Sequence, residues 1–157
     1  MTKWVERRRY TQEWQCGFIK TVMGLCHHTR MKIVVFHNPG CGTSRNVLRI
    51  IDAAGYCPTV IEYLEAGWTI PLLHKLFVAA GISARDALRS RNTPAAELGL
   101  LEPNIKEATL IQAMIAHPIL VNRPFVITPL GTKLCRPSGT VLSLLPVWPQ
   151  GPFFKED

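Results

Sequence analysis

A strand–loop–helix–strand segment limits the fold more than any other part of this sequence. Lys32–Phe36 is a short β-branched run, typical of a buried parallel strand. A loop rich in glycine and proline follows, and Ser44 opens an amphipathic helical pattern that closes near Gly55. Thr59–Tyr63 is a second strand pattern. Because such crossovers are right-handed, the segment predicts two parallel neighbouring strands joined by a helix.

The later part of the sequence predicts helices and then two more strands. Phe125–Thr128 and Thr132–Cys135 are strand patterns, and the short turn between them indicates a hairpin. The elements therefore follow the order β-α-β, helices, β-β-α, and the parallel pair together with the hairpin predicts an α/β fold with a mixed sheet. Four helical segments are predicted in this part: Leu72–Ala80, Ser83–Leu88, Ile105–Ala116 and Gly139–Leu145.

Composition limits the classes of protein that this chain can form. The 157 residues are 47% hydrophobic and 18% charged, enough to bury the core of one domain and too apolar for bulk disorder. Prolines break the longest uncharged stretches, so no run of about 20 apolar residues predicts a membrane span. The five cysteines form no Cys-X-X-Cys pair and no zinc spacing. This predicts a reducing, cytoplasmic compartment and no bound metal.

The first 30 residues differ from the rest of the chain. They hold six Lys/Arg against two Glu, whereas residues 31–157 hold twelve against nine. Their apolar residues lack a clean period, and Lys20 interrupts the only run that could serve as a secretory signal. We expect residues 1–30 to be a disordered extension and residues 31–157 to be the domain, with Met31 as the functional start. An organelle transit peptide is the alternative.

Cys41 is the most informative single residue. It lies between a predicted strand and a predicted helix, which is the position of the ligand crevice in parallel α/β folds. A helix N-terminus carries about half a positive charge, and His37 and Arg45 lie nearby in the sequence. Such settings lower a cysteine pKa from ~8.5 to as little as ~3.5–7.5. The alternative, a small residue filling a tight turn, is disfavoured because Gly40 and Gly42 expose the sulfur.

The neighbours of Cys41 exclude two well-known thiol mechanisms. A tyrosine phosphatase needs arginine six positions after the cysteine, where this chain has Val47, and a thioredoxin needs a second cysteine where it has Ser44. Cys135 is disfavoured as a resolving thiol. It lies on a predicted strand beside Arg136, and neighbouring side chains on a strand point to opposite faces, so Cys135 and Arg136 would not point into the same site. Cys57, at the start of a strand, is predicted to be partly buried packing. Turnover by Cys41 would therefore require an external thiol.

Two arginines are each followed by a proline, which restricts the backbone conformation of the arginine. Arg123 stands in Asn-Arg-Pro just before a predicted strand, and Arg136 stands in Cys-Arg-Pro just after one. Proline favours extended geometry in the residue before it, and the planar guanidinium suits oxyanions. Ordinary surface arginines paired with carboxylates are the alternative. Spacing along the chain does not decide whether these arginines converge.

Three motifs resemble the glutaredoxin-coupled arsenate reductases. The likeness covers about residues 32–157, and its first two motifs are long and specific. The matching segments are His37-Asn-Pro-Gly-Cys-Gly-Thr-Ser-Arg-Asn46, His117-Pro-Ile-Leu-Val-Asn-Arg-Pro-Phe-Val-Ile-Thr-Pro-Leu-Gly-Thr-Lys-Leu-Cys-Arg-Pro137 and Gly81-Ile-Ser-Ala-Arg-Asp-Ala-Leu-Arg-Ser-Arg-Asn92.

The resemblance implies a thioredoxin-like fold with a helical insertion, in which Pro124 is the fold's cis-proline. It implies that Cys41 is the nucleophile and that His37 lowers the pKa of its thiol. Ser44 would provide a hydroxyl that helps to orient the thiolate.

The resemblance also implies a substrate and partners. Arg89, Arg123 and Arg136 match the oxyanion-binding arginines of that family. In its mechanism Cys41 attacks arsenate, glutathione displaces an oxygen on arsenic, and glutaredoxin reduces the adduct to release arsenite. We thus expect a cytoplasmic, monomeric enzyme of arsenical detoxification with glutathione as co-substrate. It would need no bound cofactor, nucleic acid or membrane.

Two other functions fit the same fold. One is a transcription regulator that binds RNA polymerase and catalyses nothing, for which the basic residues would suit an acidic partner. The other is a glutathione-dependent thiol reductase with a different substrate. Only the arsenate reductase requires Arg89, Arg123 and Arg136 together around the thiol.

Overall fold

Four strands form the sheet of residues 31–149, which is the part of the chain that the computed structural model describes. The predictions for residues 1–30 lie outside the described residues. The elements are β1 (Val34–His37), α1 (Gly42–Ala53), β2 (Thr59–Glu62), α2 (Tyr63–Ala66), α3 (Ile70–Ala80), α4 (Ala84–Ala87), α5 (Glu107–Ala116), β3 (Phe125–Thr128) and β4 (Gly131–Leu134), with 3₁₀ segments at Pro118–Leu120 and Ser138–Leu144.

The sheet is mixed, as predicted, with strand order β2-β1-β3-β4. β1 and β2 are parallel neighbours, which confirms the predicted crossover through α1. β3 runs antiparallel to β1 and forms the predicted hairpin with β4.

Alternation along β1 divides the core between the two faces of the sheet. Val35 points into a cluster with Val47 and Ile51 of α1, and this cluster also includes Val141. Phe36 points to the opposite face, which the helical insertion covers. That second cluster contains Leu73, Leu76, Phe77, Leu110, Ile111 and Met114 from α3 and α5. Full burial of such side chains stabilises the fold by roughly 1.5–3 kcal/mol each.

Local signals set the ends of the inserted helices. Thr69 caps α3 by accepting a hydrogen bond from the backbone N–H of Leu72 at 3.4 Å. Gly81 ends α3 with φ of +65°, a conformation that glycine adopts at little cost. Ser83 and Asp86 form a capping box at the start of α4.

Three differences from the predicted elements have a clear local cause. α1 begins at Gly42 rather than Ser44, because extended Cys41 already accepts a hydrogen bond from the Arg45 backbone at 3.0 Å. Tyr63, predicted as the end of β2, instead opens the short helix α2. The last helix is a 3₁₀ segment, Ser138–Leu144, whose serine, glycine, threonine and valine are weak α-helix formers. Within the described residues, no helix is long and apolar enough to cross a membrane.

Candidate active site

The register of the sheet brings four chain segments to one edge. Parallel pairing places the carboxyl ends of β1 and β2 side by side, with His37 opposite Glu62. The start of β3 lies beside the end of β1, and the end of β4 lies beside the start of β3. The residues that follow β1, β2 and β4 therefore meet those that precede β3. Cys41, Tyr63, Arg136 and Arg123 are in these positions.

The loop after β1 holds Cys41 in a tight turn. The Cys41 backbone N–H donates to the Asn38 carbonyl at 3.0 Å, and the Gly40 N–H donates to Asn38 Oδ1 at 2.8 Å. A Cβ at Gly40 would lie 3.2 Å from Asn38 Oδ1, so glycine permits this close approach. Cys41 is the N-cap residue of α1 and is only 8% exposed, so the prediction that Gly40 and Gly42 expose its sulfur is wrong.

The site favours the thiolate form of Cys41. Burial raises the pKa of the thiol, but hydrogen bonding from the Ser44 backbone, the charge of Arg123 and the donors of both side chains outweigh it, so the pKa is lowered. Ser44 is the third residue of α1, whose N–H is one that an N-cap side chain can engage. Ser44 Oγ is buried and makes no hydrogen bond of normal geometry within residues 31–149, yet its side chain lies where it lowers the pKa of Cys41.

The surroundings of His37 and Arg45 determine what each residue can do at this site. Burial and the charge of Arg45 lower the pKa of His37, against an opposing hydrogen bond with the Ser44 backbone. His37 is therefore neutral at pH 7, and it is not among the groups that act on the ionisation of Cys41, so its role in lowering the pKa of that thiol stays a prediction. The Arg45 guanidinium donates to the Pro39 carbonyl at 2.7 Å. The cation that acts on the sulfur is Arg123.

The structure brings the three predicted arginines together. Burial lowers the pKa of Arg89, and Arg123 and Arg136 lower it further, whereas Tyr63 and Cys41 oppose them. Arg89 is thus within electrostatic reach of Arg123, Arg136 and the Cys41 thiol. Arg123 is the most buried, at 6% exposed, while Arg89 is half-buried and Arg136 is exposed.

Backbone hydrogen bonds position Arg89 and Arg123. The Arg89 N–H donates to the Leu120 carbonyl, and the Asn122 N–H donates to the Ala87 carbonyl, both at 2.8 Å. These bonds fasten the segment after α4 to the segment before β3. The Arg123–Pro124 peptide bond is cis, as the resemblance implies. The Arg136–Pro137 bond is also cis, which the sequence analysis did not foresee.

Several buried polar atoms at this edge lack a partner. No hydrogen-bond partner is found in the described part of the chain for Arg123 Nε and Nη1, Ser44 Oγ or His37 Nδ1. A buried cation without a counter-charge costs several kcal/mol, which an anion bound to it would offset. The arrangement is therefore chemically suited to hold an oxyanion beside a thiolate.

Sequence reasoning missed Tyr63. Its side chain is fully buried, its ring stacks on Trp68 with centroids 4.9 Å apart, and its O–H finds no acceptor in residues 31–149. The signal that could have found it is its place directly after β2, at the same edge as the Cys41 loop.

The other described cysteines lie outside this site's chemistry. Burial raises the pKa of Cys135 to about 12, and its sulfur contacts the Lys133 carbonyl at 3.8 Å. Cys57 is exposed, so the prediction that it is partly buried is wrong, because β2 begins two residues later at Thr59. No group of three or more potential metal ligands occurs among residues 31–149.

The mixed sheet, the cysteine at the N-terminus of α1 and the cis-proline before β3 define a thioredoxin-like protein. Comparison with known families narrows this class. Residues 36–144 match the ArsC family, and the chain belongs to that family.

Relatives and solved structures agree with this assignment. The chain is 59% identical over 129 residues to "Arsenate reductase ArsI1" of Synechocystis sp., covering 82% of this chain and 90% of the relative. It is 52% identical over 125 residues to "Arsenate reductase" of Escherichia coli strain K12, covering 80% and 89%. The solved structure "Arsenate reductase from Vibrio cholerae" is 33% identical with a TM-score of 0.70, covering 73% of this chain and 98% of that one.

Proposed function

We propose that this chain is an arsenate reductase that draws its electrons from glutathione and glutaredoxin. The observation that carries the proposal is the Arg123 guanidinium, buried beside Cys41 with two nitrogens unpartnered among the described residues. Arsenate is a tetrahedral oxyanion whose oxygens suit that planar fork. Relatives at 52–60% identity are named arsenate reductases, which supports this substrate over other oxyanions.

The proposed reaction begins with attack of the Cys41 thiolate on arsenic. A sulfur–arsenic bond forms, an arsenic–oxygen bond breaks, and the oxygen leaves as water after protonation. The glutathione thiol then displaces a second oxygen in the same way. Glutaredoxin attacks the glutathione sulfur, which gives a mixed disulfide and leaves both bonding electrons on arsenic. As(V) becomes As(III), and hydrolysis releases arsenite and the Cys41 thiol.

Each proposed residue role rests on a feature of the site. Cys41 is the nucleophile because its pKa is lowered and it caps α1. Ser44 stabilises the thiolate through its backbone and hydroxyl. Arg89, Arg123 and Arg136 bind the oxyanion, and neutral His37 offers its unpartnered Nδ1 to the site.

The reductant in this proposal is external. Cys135 is buried with a strongly raised pKa and is a poor resolving thiol, and Ser44 occupies the position of a thioredoxin's second cysteine. A reducing compartment such as the cytoplasm supplies both thiols. All the proposed groups come from one chain, in keeping with a monomer.

The two alternatives are less favoured. A regulator that binds RNA polymerase has no need for a buried, unpartnered arginine beside a thiol of lowered pKa. A thiol reductase with another substrate would not require Arg89 and Arg136 in addition to Arg123.

A coupled assay tests the proposal. The full chain is incubated with arsenate, glutathione, glutaredoxin and glutathione reductase, and NADPH oxidation is followed. We expect oxidation that requires every component and disappears in Cys41→Ser. The matched variant Cys57→Ser, which alters an exposed cysteine, should keep wild-type turnover. Absence of arsenate-dependent oxidation by the wild-type chain would contradict the proposal.

A further inference from the structure

Tyr63 belongs to the oxyanion site by position as well as by burial. It follows the last residue of β2, which pairs with His37 at the end of β1. The charged groups that act on its ionisation are Arg123, Arg89 and Cys41, and the Asn38 side chain acts on it as well. The phenol oxygen therefore shares its surroundings with the thiol and with two of the three site arginines.

The ring of Tyr63 is held by packing and not by its hydroxyl. It stacks on Trp68 with an interplanar angle of 24°, and Trp68 also contacts Phe36 with ring centroids 5.2 Å apart. The Trp68 indole N–H donates to the Pro118 carbonyl at 3.4 Å, and this hydrogen bond holds the Trp68 ring in place against Tyr63. The hydroxyl direction is thus set by a rigid aromatic cluster.

The Tyr63 O–H finds no acceptor in residues 31–149, although the side chain is 0% exposed. The Asn38 side chain lowers the pKa of Tyr63 by hydrogen bonding, so it acts as a donor to the phenol oxygen and leaves the O–H available. Buried hydroxyl groups in folded proteins are nearly always hydrogen-bonded, so an O–H without an acceptor calls for an explanation. Arg123 Nε and Nη1 in the same site are also unpartnered. One tetrahedral anion could accept hydrogen bonds from both groups.

The protonation state of Tyr63 suits a donor. Burial raises the pKa of the phenol, and this outweighs the opposing charge of Arg123. The side chain therefore stays protonated at neutral pH and can donate its O–H to an anion. A neutral donor adds a directed hydrogen bond without adding to the repulsion among the arginines.

We propose that the Tyr63 hydroxyl donates a hydrogen bond to an oxygen of the tetrahedral oxyanion held by Arg123 and Arg89. Tyr63 is then a further substrate-binding residue, acting from the β2 side of the site. It forms no covalent bond and transfers no proton. This assignment rests on the proposed oxyanion substrate, and it predicts that Tyr63 serves binding more than folding.

The test is arsenate binding to the full chain by isothermal titration calorimetry, in a Cys41→Ser background where no adduct forms. Tyr63→Phe keeps the ring and its stack and removes only the hydroxyl. We expect arsenate Kd to rise about tenfold or more, which is the effect of losing a hydrogen bond to a charged group. The melting temperature should change little, because the lost O–H donates to no protein acceptor in residues 31–149. Tyr56→Phe is the matched control: Tyr56 is buried in the other core cluster, and its variant should bind within twofold.

The outcomes separate this inference from the proposed function. A Kd within twofold of the Tyr63 background would overturn the inference, as would equal weakening by Tyr56→Phe. No arsenate binding in the Cys41→Ser background would overturn the inference, whereas the proposed function is decided separately by the coupled assay with the wild-type chain. If Tyr63→Phe weakens arsenate binding while the wild-type chain reduces no arsenate in the coupled assay, the proposed function fails and the assignment of Tyr63 stands.

Discussion

At the scale of the residue, Arg123 has two effects that both depend on its burial. Its charge lowers the pKa of Cys41, and it also lowers the pKa of Arg89. Burial weakens the screening that water would give to these interactions. The same burial leaves Arg123 Nε and Nη1 without solvent or a protein partner in the described residues. An oxyanion bound there would therefore be held strongly and directionally.

Arg123→Lys should impair catalysis although it preserves charge. Lysine replaces the planar guanidinium group, which carries several oriented hydrogen-bond donors, with a single ammonium charge. Loss of one oriented donor to the transition state typically lowers kcat by ~10²–10³. Steady-state kinetics with arsenate would measure the effect, with Arg91→Lys as the control at an exposed arginine. Near-wild-type activity of Arg123→Lys would argue against the oxyanion site.

Cys135→Ala should leave turnover with glutathione and glutaredoxin within a few-fold of wild type. The Cys135 thiol is buried and its pKa is raised to about 12, so it supplies almost no thiolate at neutral pH. Alanine is chosen because it leaves no buried hydroxyl. A complete loss of turnover in a variant that still folds, as judged by circular dichroism, would instead indicate a resolving role.

At the scale of the element, periodicity predicted the sheet well and the site only in part. Strand patterns predicted all four strands and the parallel pair, because alternation and β-branched runs are local signals. The neutral state of His37 depends on burial and on Arg45, which no local pattern encodes. Tyr63 was assigned to a strand because Glu62 and Tyr63 continue the β2 pattern, although the helix begins there. The prediction that the three arginines lie close together rested on the resemblance to a known family, because spacing along the chain did not predict it.

Gly81→Ala should destabilise the fold by ~1–2 kcal/mol. Gly81 ends α3 with φ of +65°, a region that is strained for residues with a Cβ. Gly139→Ala is the matched control, because that glycine has open space around its would-be Cβ and no positive φ. Urea unfolding would compare the two. Equal free energies of unfolding for Gly81→Ala and wild type would contradict the assigned cap.

At the scale of the whole molecule, charge divides the chain into two parts. Residues 1–30 carry a formal net charge of +4 and residues 31–157 carry +3, from six Lys/Arg against two Glu and twelve against nine. The elements that build the sheet and the candidate site all lie within residues 31–149. The two clusters of the core also form within these residues. Each residue to which the proposed reaction assigns a role lies in the second part.

Removal of residues 1–30 should leave stability and kcat/KM unchanged. The reasons are the absence of a burial pattern in that segment and the start of strand signal at Lys32. Melting temperature and kcat/KM of Met31–Asp157 would be compared with those of the full chain. A loss of more than ~2 kcal/mol in the free energy of unfolding, the scale of lost core contacts, would show that the segment belongs to the fold.

The most direct test of the central claim is alkylation of Cys41 by iodoacetamide as a function of pH, with and without arsenate. Mass spectrometry of the peptide that contains Cys41 separates it from the other four cysteines. We predict an inflection clearly below ~8.5, the free-cysteine value, and slower alkylation when arsenate occupies the site. An inflection at ~8.5 together with a rate that arsenate does not change would contradict a low-pKa thiolate facing a bound oxyanion.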